Sequence, residues 1–201
     1  TILGIACSKS SNDITGGTDS TGTQTEQTGD YDWAAGSGND ITLNGTSITT
    51  TSANVTISGT VATITKGGQY TISGTLTSGQ IKVDADTSTV KIKLNGATIA
   101  NSSTSPFYIK NSKKTIIFVA DGTTNSISDA TTYSNTDEPN ACIFSNTYLA
   151  FTGTGALTVK GNCNDAISSD DQIVINNGTI TVTAKDDGIR GKDYLKVNGG
   201  M

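Results

Sequence analysis

The chain has 201 residues, which is enough for one large domain or two small ones, and its formal net charge is −5. It contains no histidine, and this excludes His-based catalytic triads, His general bases and His-ligated zinc. The 13 basic residues are outnumbered by 18 acidic ones and form no cluster, so nucleic acid is not an expected partner. Hydrophobic residues make up only 33%, and the 23 glycines with abundant Ser, Thr, Asn and Asp favour short strands and tight turns over helices.

Residues 1–7, TILGIAC, form an apolar run that ends in small residues and a cysteine. The run resembles the end of a bacterial lipoprotein signal peptide, in which a lipobox precedes the cysteine that becomes lipidated. It departs from the usual pattern because Leu3 lies four places before Cys7 rather than three, and no basic region precedes it. We expect lipidation at Cys7 and a location on the outer face of a bacterial membrane. The alternative is a chance apolar terminus with a free thiol.

Residues 8–38 are polar, rich in Gly, Ser and Thr, and almost free of aliphatic side chains. Such a segment buries too little apolar area to offset the entropy of ordering, so we predict a disordered tether between the anchor and a folded domain. Trp33, the only tryptophan, lies near the end of the tether beside Tyr31. We expect Trp33 to pack against the first strands, the alternative being that it stacks on a sugar.

From residue 39 the pattern changes to short segments in which apolar residues alternate with polar ones, as in half-buried strands. Gly, Asn-Gly or Ser-Gly interrupts these segments every few residues, as tight turns require. No window of ten or more residues shows a helical period. Residues 39–201 are therefore predicted to form one all-β domain. The segments are ITLNGTSI, NVTISGTVATI, QYTISGTL, GQIKVDA, TVKIKLNGATI and KTIIFVA.

The C-terminal part of this domain repeats itself. Between Asn164 and Met201 a shift of 22 residues superimposes like on like, and the segment that begins at Asn140 aligns on the one at Asn164 at a shift of 24. Gly155 and the four residues after it align on Gly178 at a shift of 23. Because position-by-position repeats of this length indicate stacked rungs, we predict a right-handed parallel β-helix with irregular N-terminal capping strands. The third copy of the turn stops at Met201, so the prediction includes a C-terminal truncation.

The longest break in the strand pattern is the polar segment Asp121 to Pro139, which carries Glu138, one of two glutamates in the chain. A long polar insertion between rungs is a candidate ligand-binding loop. The alternative is a solvated loop without a functional role.

Aspartates recur at matching positions of successive rungs. The 22-residue shift places Asp165 on Asp187 and Asp171 on Asp193, so each pair of carboxylates is expected about 5 Å apart and repulsive unless a cation bridges it. Calcium takes six to eight oxygen ligands, and a rung edge offers carboxylates together with turn carbonyls. We predict a first calcium site at Asp186-Asp187 next to Asn164-Asp165, and a second cluster at Asp170 and Asp171. The alternative is that they are turn residues chosen for Asx turns and solubility. The candidate metal ligands are Asp165, Asp186, Asp187, Asp170, Asp171 and Asp193.

Two basic residues accompany the aspartates. Arg190, the only arginine, replaces Ser168 one rung on, and Lys192 replaces Asp170. Lys192 can form an ion pair with Asp170 across the rungs. Alternatively, Arg190 and Lys192 both face outward beside bound calcium and bind a carboxylate-bearing ligand.

Three segments carry a family resemblance: GQYTISGTLTSGQIKVDA, DEPNACIFSNTYLAFTGTGALTVKGN, and NDAISSDDQIVINNGTITVTAKDDGIRGKDYLKVNGG. From about residue 39 onward the chain resembles the bacterial carbohydrate-binding β-helix family described for binding polygalacturonate. The resemblance implies a pectate-lyase-like fold, bound calcium, and a surface-exposed binding role rather than catalysis. It does not identify the calcium ligands residue by residue.

The sequence thus favours a non-catalytic, monomeric binding protein for acidic plant polysaccharide, with calcium linking protein and uronate carboxylates. One alternative is a calcium-dependent pectate lyase, with Arg190 or Lys192 as the base that β-elimination requires. A hydrolase is disfavoured because the chain has no histidine. The other alternative is a structural surface stalk or adhesin.

Overall fold

The computed structural model describes residues 25–36, 38–134 and 138–201. None of these residues is helical, so no helix in this part of the chain is able to cross a membrane. The all-β prediction is confirmed for the described residues. Cys7 and residues 8–24 of the predicted tether lie outside them.

Eighteen strands account for the domain, most of them three to six residues long because Gly, Asn and Ser turns interrupt the chain so often. In chain order they are β1 (Asp40–Gly45), β2 (Ile48–Thr50), β3 (Val55–Ser58), β4 (Val61–Ile64), β5 (Gly68–Leu76), β6 (Gln80–Asp84), β7 (Thr89–Ala100), β8 (Phe107–Asn111), β9 (Lys114–Val119), β10 (Thr124–Ser128), β11 (Ala141–Ser145), β12 (Tyr148–Gly153), β13 (Ala156–Gly161), β14 (Asp165–Ser169), β15 (Ile173–Ile175), β16 (Thr179–Ala184), β17 (Ile189–Gly191) and β18 (Leu195–Val197).

The strands form two mixed sheets. The large sheet has eleven strands, eight of them in the order β16-β13-β10-β7-β9-β12-β15-β18, with β5, β1 and β2 branching from β7. The small sheet has seven strands in the order β17-β14-β11-β8-β6-β4-β3. Two pairs are antiparallel, β1 with β2 and β3 with β4, and the remaining pairs are parallel. The inward side chains of both sheets contribute to one apolar core.

The strand register predicted from the repeat is confirmed. Ile167 pairs with Ile189 at a shift of 22, and Ile143 pairs with Ile167 at a shift of 24. Ala156 pairs with Thr179 at the predicted shift of 23. Similar inward-facing aliphatic side chains therefore stack on each other along the parallel part of both sheets.

The predicted fold class, a right-handed parallel β-helix, is wrong. The described residues form two mixed sheets with antiparallel hairpins at the N-terminal end, and the strands do not close into a solenoid. The reason lies in β7, a twelve-residue strand that pairs with β9 through its first half and with β10 through its second half. It joins two stacks of strands into one sheet. The sequence repeat specifies which residues pair, but it does not specify how many separate faces the strands form.

Residues 25–36, which we call the strap, lie on the outer face of the large sheet. Trp33 contacts the ring of Phe118 in β9 edge-on, with ring centroids 5.1 Å apart. Asp30 reaches the ammonium group of Lys114 on the same strand. The partner of Trp33 is therefore β9 rather than the first strands, and this part of the predicted tether packs against the domain.

Candidate functional site

Six turns carry the chain from the small sheet to the large sheet and stack on one another. Backbone bonds connect them: Asp170 N–H donates to Ser145 O at 2.8 Å, and Lys192 N–H donates to Ser169 O at 2.9 Å. Turn residues are polar because the chain must reverse direction at the surface. Their stacking produces a shallow groove of about 540 Å³ along the corner of the molecule. It is lined by Asp86, Thr87, Asn111, Ser112, Lys113, Thr147 and Asp171.

The first predicted calcium site is occupied by an arginine. Arg190 Nε donates to Asp165 Oδ2 at 3.0 Å and lies 3.9 Å from Asp187 Oδ2. The other carboxylate oxygen of Asp165 accepts the Asp187 N–H at 3.1 Å. The predicted adjacency of Asp165 and Asp187 is confirmed, but both oxygens of the buried Asp165 already have protein donors. As arranged, Asp165 does not fit a calcium ion.

Beside this cluster, oxygen-bearing side chains form a column. The register of β11 on β14 and of β14 on β17 stacks Asn140, Asn164 and Asp186. Asn164 Nδ2 donates to Asn140 O at 3.0 Å, whereas the buried Asn140 Oδ1 has no hydrogen-bond donor among the described residues. Asp186 is exposed and is the one carboxylate of the column.

The second predicted site lies at the corner, and we call it the acidic corner (Glu138, Asn146, Asp170, Asp171, Lys192 and Asp193). Lys192 Nζ lies 3.7 Å from Asp170 Oδ1, so the predicted ion pair across the rungs is confirmed. Burial, and then the neighbouring Asp170 carboxylate, raise the pKa of Glu138. Asn146 Oδ1 is buried next to these carboxylates, with no donor among the residues that the structure describes.

A second carboxylate pair completes the acidic corner. Asp193 N–H donates to Asp171 O at 3.3 Å, which places the two aspartates on adjacent turns as predicted. Burial raises the pKa of Asp171, and the Asp193 carboxylate raises it further. A carboxylate that is half-buried beside a like charge is stabilised by a cation. The donor set of this corner, carboxylates with an amide oxygen, is the kind that calcium prefers.

The structure thus separates the six predicted metal ligands into two groups, and in the described part of the chain no three acidic or thiol side chains converge on one point. Sequence reasoning missed Asn146 because it lies inside an apolar strand-turn segment, and it placed Glu138 only in a candidate loop. The signal for Asn146 was its template position: the 24-residue shift that aligns Asn140 on Asn164 places Asn146 on Asp170.

This geometry has counterparts among known proteins. A solved structure described as the polysaccharide lyase-like protein from C. thermocellum, gadolinium derivative, superimposes with a TM-score of 0.73 at 30% identity and covers 81% of this chain and 79% of that one. A carbohydrate-binding domain-containing protein from Acetivibrio thermocellus is 41% identical over 126 residues. The match spans 60% of this chain and 44% of the relative, which is therefore considerably longer.

The profile of one protein family matches residues 58–201, which include every strand from β4 onward, the groove and the acidic corner. This is well over half of the chain. The chain belongs to the family of carbohydrate-binding domain-containing proteins.

Proposed function

We propose that the protein is a non-catalytic binding module for an acidic polysaccharide of the polygalacturonate type, and that calcium at the acidic corner links protein and uronate carboxylates. The single observation that carries the proposal is the oxygen cluster at one end of the groove. Two carboxylate pairs lie there with the ammonium group of Lys192 and with the amide oxygen of Asn146, which has no hydrogen-bond donor among the described residues.

Charge explains why a cation is needed. The chain carries a net charge of −5, and a polyuronate is itself strongly anionic, so the two repel without a counterion. Calcium bound by Asp171 and Asp193 would keep open positions, because two carboxylates supply fewer than the six to eight oxygens that calcium takes. Uronate carboxylates are suitable ligands for those positions. Lys192, whose side chain is 67% exposed, is available to a further carboxylate of the polymer.

The groove supports an extended ligand. It runs across several stacked turns, and its lining is mostly hydroxyl, amide and carboxylate groups that hydrogen-bond to sugars. Asp86 holds its turn with a positive φ of 49°, a conformation that aspartate tolerates better than most residues.

The test is a pull-down on immobilised polygalacturonate with calcium or with a chelator, in about 0.5 M salt, which screens direct ion pairs between the polymer and surface lysines. We expect binding in calcium, loss with chelator, and a loss of at least about tenfold in Asp171→Asn/Asp193→Asn. Asp40→Asn/Asp121→Asn removes the same charge at exposed positions away from the corner and serves as the matched control. Binding that ignores the chelator, or an equal loss in the control, would overturn calcium bridging. A failure to bind any glycan, with no bound calcium, would favour a structural stalk or adhesin.

A second candidate is a polysaccharide lyase, favoured by the name of the similar solved structure. It would use Arg190 or Lys192 as the base. The geometry of Arg190 opposes this role, because its Nε donates to Asp165 rather than pointing at open solvent. Absorbance of unsaturated uronides would decide: a rate that requires Arg190 or Lys192 would replace the binding proposal by an enzymatic one.

The proposed location, a bacterial surface reached through a lipid at Cys7, has its own test. The gene product expressed in bacteria should incorporate labelled fatty acid, and Cys7→Ala should not. Incorporation that persists in Cys7→Ala would refute lipidation at this residue.

A further inference from the structure

The outer face of the large sheet carries four lysines that contact the strap. Register places Lys91 and Lys93 of β7 beside Ile116 and Phe118 of β9. Further along the face lie Lys114 of β9 and Lys196 of β18. These four are a third of the twelve lysines of a chain with net negative charge. The outward positions of β9, β12, β15 and β18, together with Lys91 and Lys93 of β7, include no carboxylate: they are Lys91, Lys93, Lys114, Ile116, Phe118, Tyr148, Ala150, Thr152, Val174 and Lys196.

The strap places an oxygen or an aromatic ring on each of the four lysines. Lys114 Nζ donates to Asp30 Oδ2 at 2.7 Å, and Lys196 Nζ donates to a carboxylate oxygen of Glu26. Lys91 Nζ donates to two backbone carbonyls of the strap, at 2.6 and 2.8 Å.

The strap also makes aromatic contacts. Lys93 Nζ lies 4.0 Å from the centroid of the Trp33 ring, which also contacts Phe118. Burial lowers the pKa of Lys93, as expected for an ammonium group that the strap partly removes from water.

The strap therefore covers the face as an acidic linear ligand would. Its carboxylates bind lysines on β9 and β18, its carbonyls bind β7, and its Trp33 ring contacts Phe118 edge-on. Beneath it lie Ile116, Tyr148, Ala150 and Val174, all fully buried although they point away from the core. Acidic sugars present the same groups, carboxylates for lysines and apolar ring faces for aromatic and aliphatic side chains.

We propose that this lysine face is a second binding surface for an acidic polysaccharide, and that the strap is an intramolecular competitor that must lift before the polymer binds. The ligand class rests on the proposed function, but the site is different: it uses lysines instead of calcium. Affinity is then reduced by the fraction of molecules in which the strap is lifted.

The strongest test breaks one ion pair from its two sides. Glu26→Gln and Lys196→Gln both remove the Glu26–Lys196 contact and loosen the strap, but only Lys196→Gln also removes a cation from the face. With polygalacturonate in chelator at low salt, Glu26→Gln should bind about two- to fivefold tighter than the wild type, as expected for an exposed pair. Lys196→Gln should show no gain. Adding Asp30→Asn to Glu26→Gln should raise the gain to about tenfold or more, and salt should abolish binding.

Emission from Trp33 reports the strap directly, because it is the only tryptophan. Adding polygalacturonate in chelator to the wild type should shift this emission to the red as the ring leaves Phe118. A lifted strap with unchanged affinity, an equal gain for Lys196→Gln, or an equal gain on a neutral glucan would overturn the proposal. If the protein shows no calcium-dependent binding but still binds polygalacturonate in chelator, calcium bridging is refuted and the proposal for the lysine face stands.

Discussion

The ion pair between Asp30 and Lys114 is the contact whose removal should say most about the strap. The Lys114 side chain is 2% exposed and the Asp30 side chain 10%, and their atoms are 2.7 Å apart. Replacing Asp30 by Asn leaves the shape but removes the charge that compensates the buried ammonium group. Where the remaining charge stays buried, such a change costs about 3–5 kcal/mol.

The strap offers a way to reduce this cost, because lifting it returns Lys114 to water. The loss in the free energy of unfolding therefore cannot exceed the free energy with which the strap docks. Apart from Asp30 that energy comes from an edge-on aromatic contact of about 0.5–1.5 kcal/mol and a cation–π contact of about 0.5–1 kcal/mol, together with the polar contacts of Glu26 and Lys91. We therefore expect Asp30→Asn to lower the free energy of unfolding by about 2–4 kcal/mol and to lift the strap.

The assay is urea unfolding followed by Trp33 emission and by far-ultraviolet circular dichroism on the same samples. In Asp30→Asn the fluorescence transition should move to lower urea than the circular dichroism transition, because the strap leaves before the sheets unfold. Replacing both partners, Asp30→Asn/Lys114→Met, removes the unpaired charge and should recover most of the loss. A double variant whose loss equals the sum of the single losses within about 0.5 kcal/mol would refute the reasoning.

Two further predictions concern the strap and the turns. Burial raises the pKa of Glu26, but hydrogen bonds from Lys196 and Tyr31 outweigh this effect, so the net shift of the pKa is downward. The contribution of Glu26 to strap docking is therefore present above about pH 4.5 and lost as pH falls through the lowered folded-state pKa. Trp33 emission should shift to the red in that acid range, and an unchanged shift in Glu26→Gln would disprove the assignment to Glu26. Gly153 has a φ of 113°, and a Cβ at this position would lie 2.2 Å from Val119 O, so Gly153→Ala should lower the free energy of unfolding by more than about 2 kcal/mol. Gly96 has a φ of 72° but no atom within 4 Å of such a Cβ, so Gly96→Ala should lower it by only about 1 kcal/mol. Equal losses of the two variants in thermal melts would contradict the steric argument.

Pairing between strands was predictable from the sequence because stacking forces like residues onto like. The alignment of Ile167 with Ile189 anticipated a register that the backbone confirms, and the ion pair of Lys192 with Asp170 followed from the same alignment. The fold class did not follow, because a repeat is local to neighbouring rungs and β7 spans two stacks.

The candidate site was predictable to a similar extent. Adjacency placed Asp171 beside Asp193 and Asp165 beside Asp187, but adjacency alone does not reveal which carboxylate an arginine already binds. The strap escaped prediction because its composition is that of a linker and its partners lie far along the chain. One signal was present: β9 reads KTIIFV without alternation, as strands covered on both faces do.

The distance along the chain between the strap and its partners also determines when it docks. Glu26 contacts Lys196 and Asn198 across 170 and 172 positions, and Asp30 contacts Lys114 across 84. Contacts of such separation form late, since closing a long loop gains nothing until the intervening strands are in place. On a ribosome the strap is made before every strand it covers and has to wait for β18 to emerge. Its docking is then the last step of folding, and refolding followed at Trp33 should lag behind sheet formation.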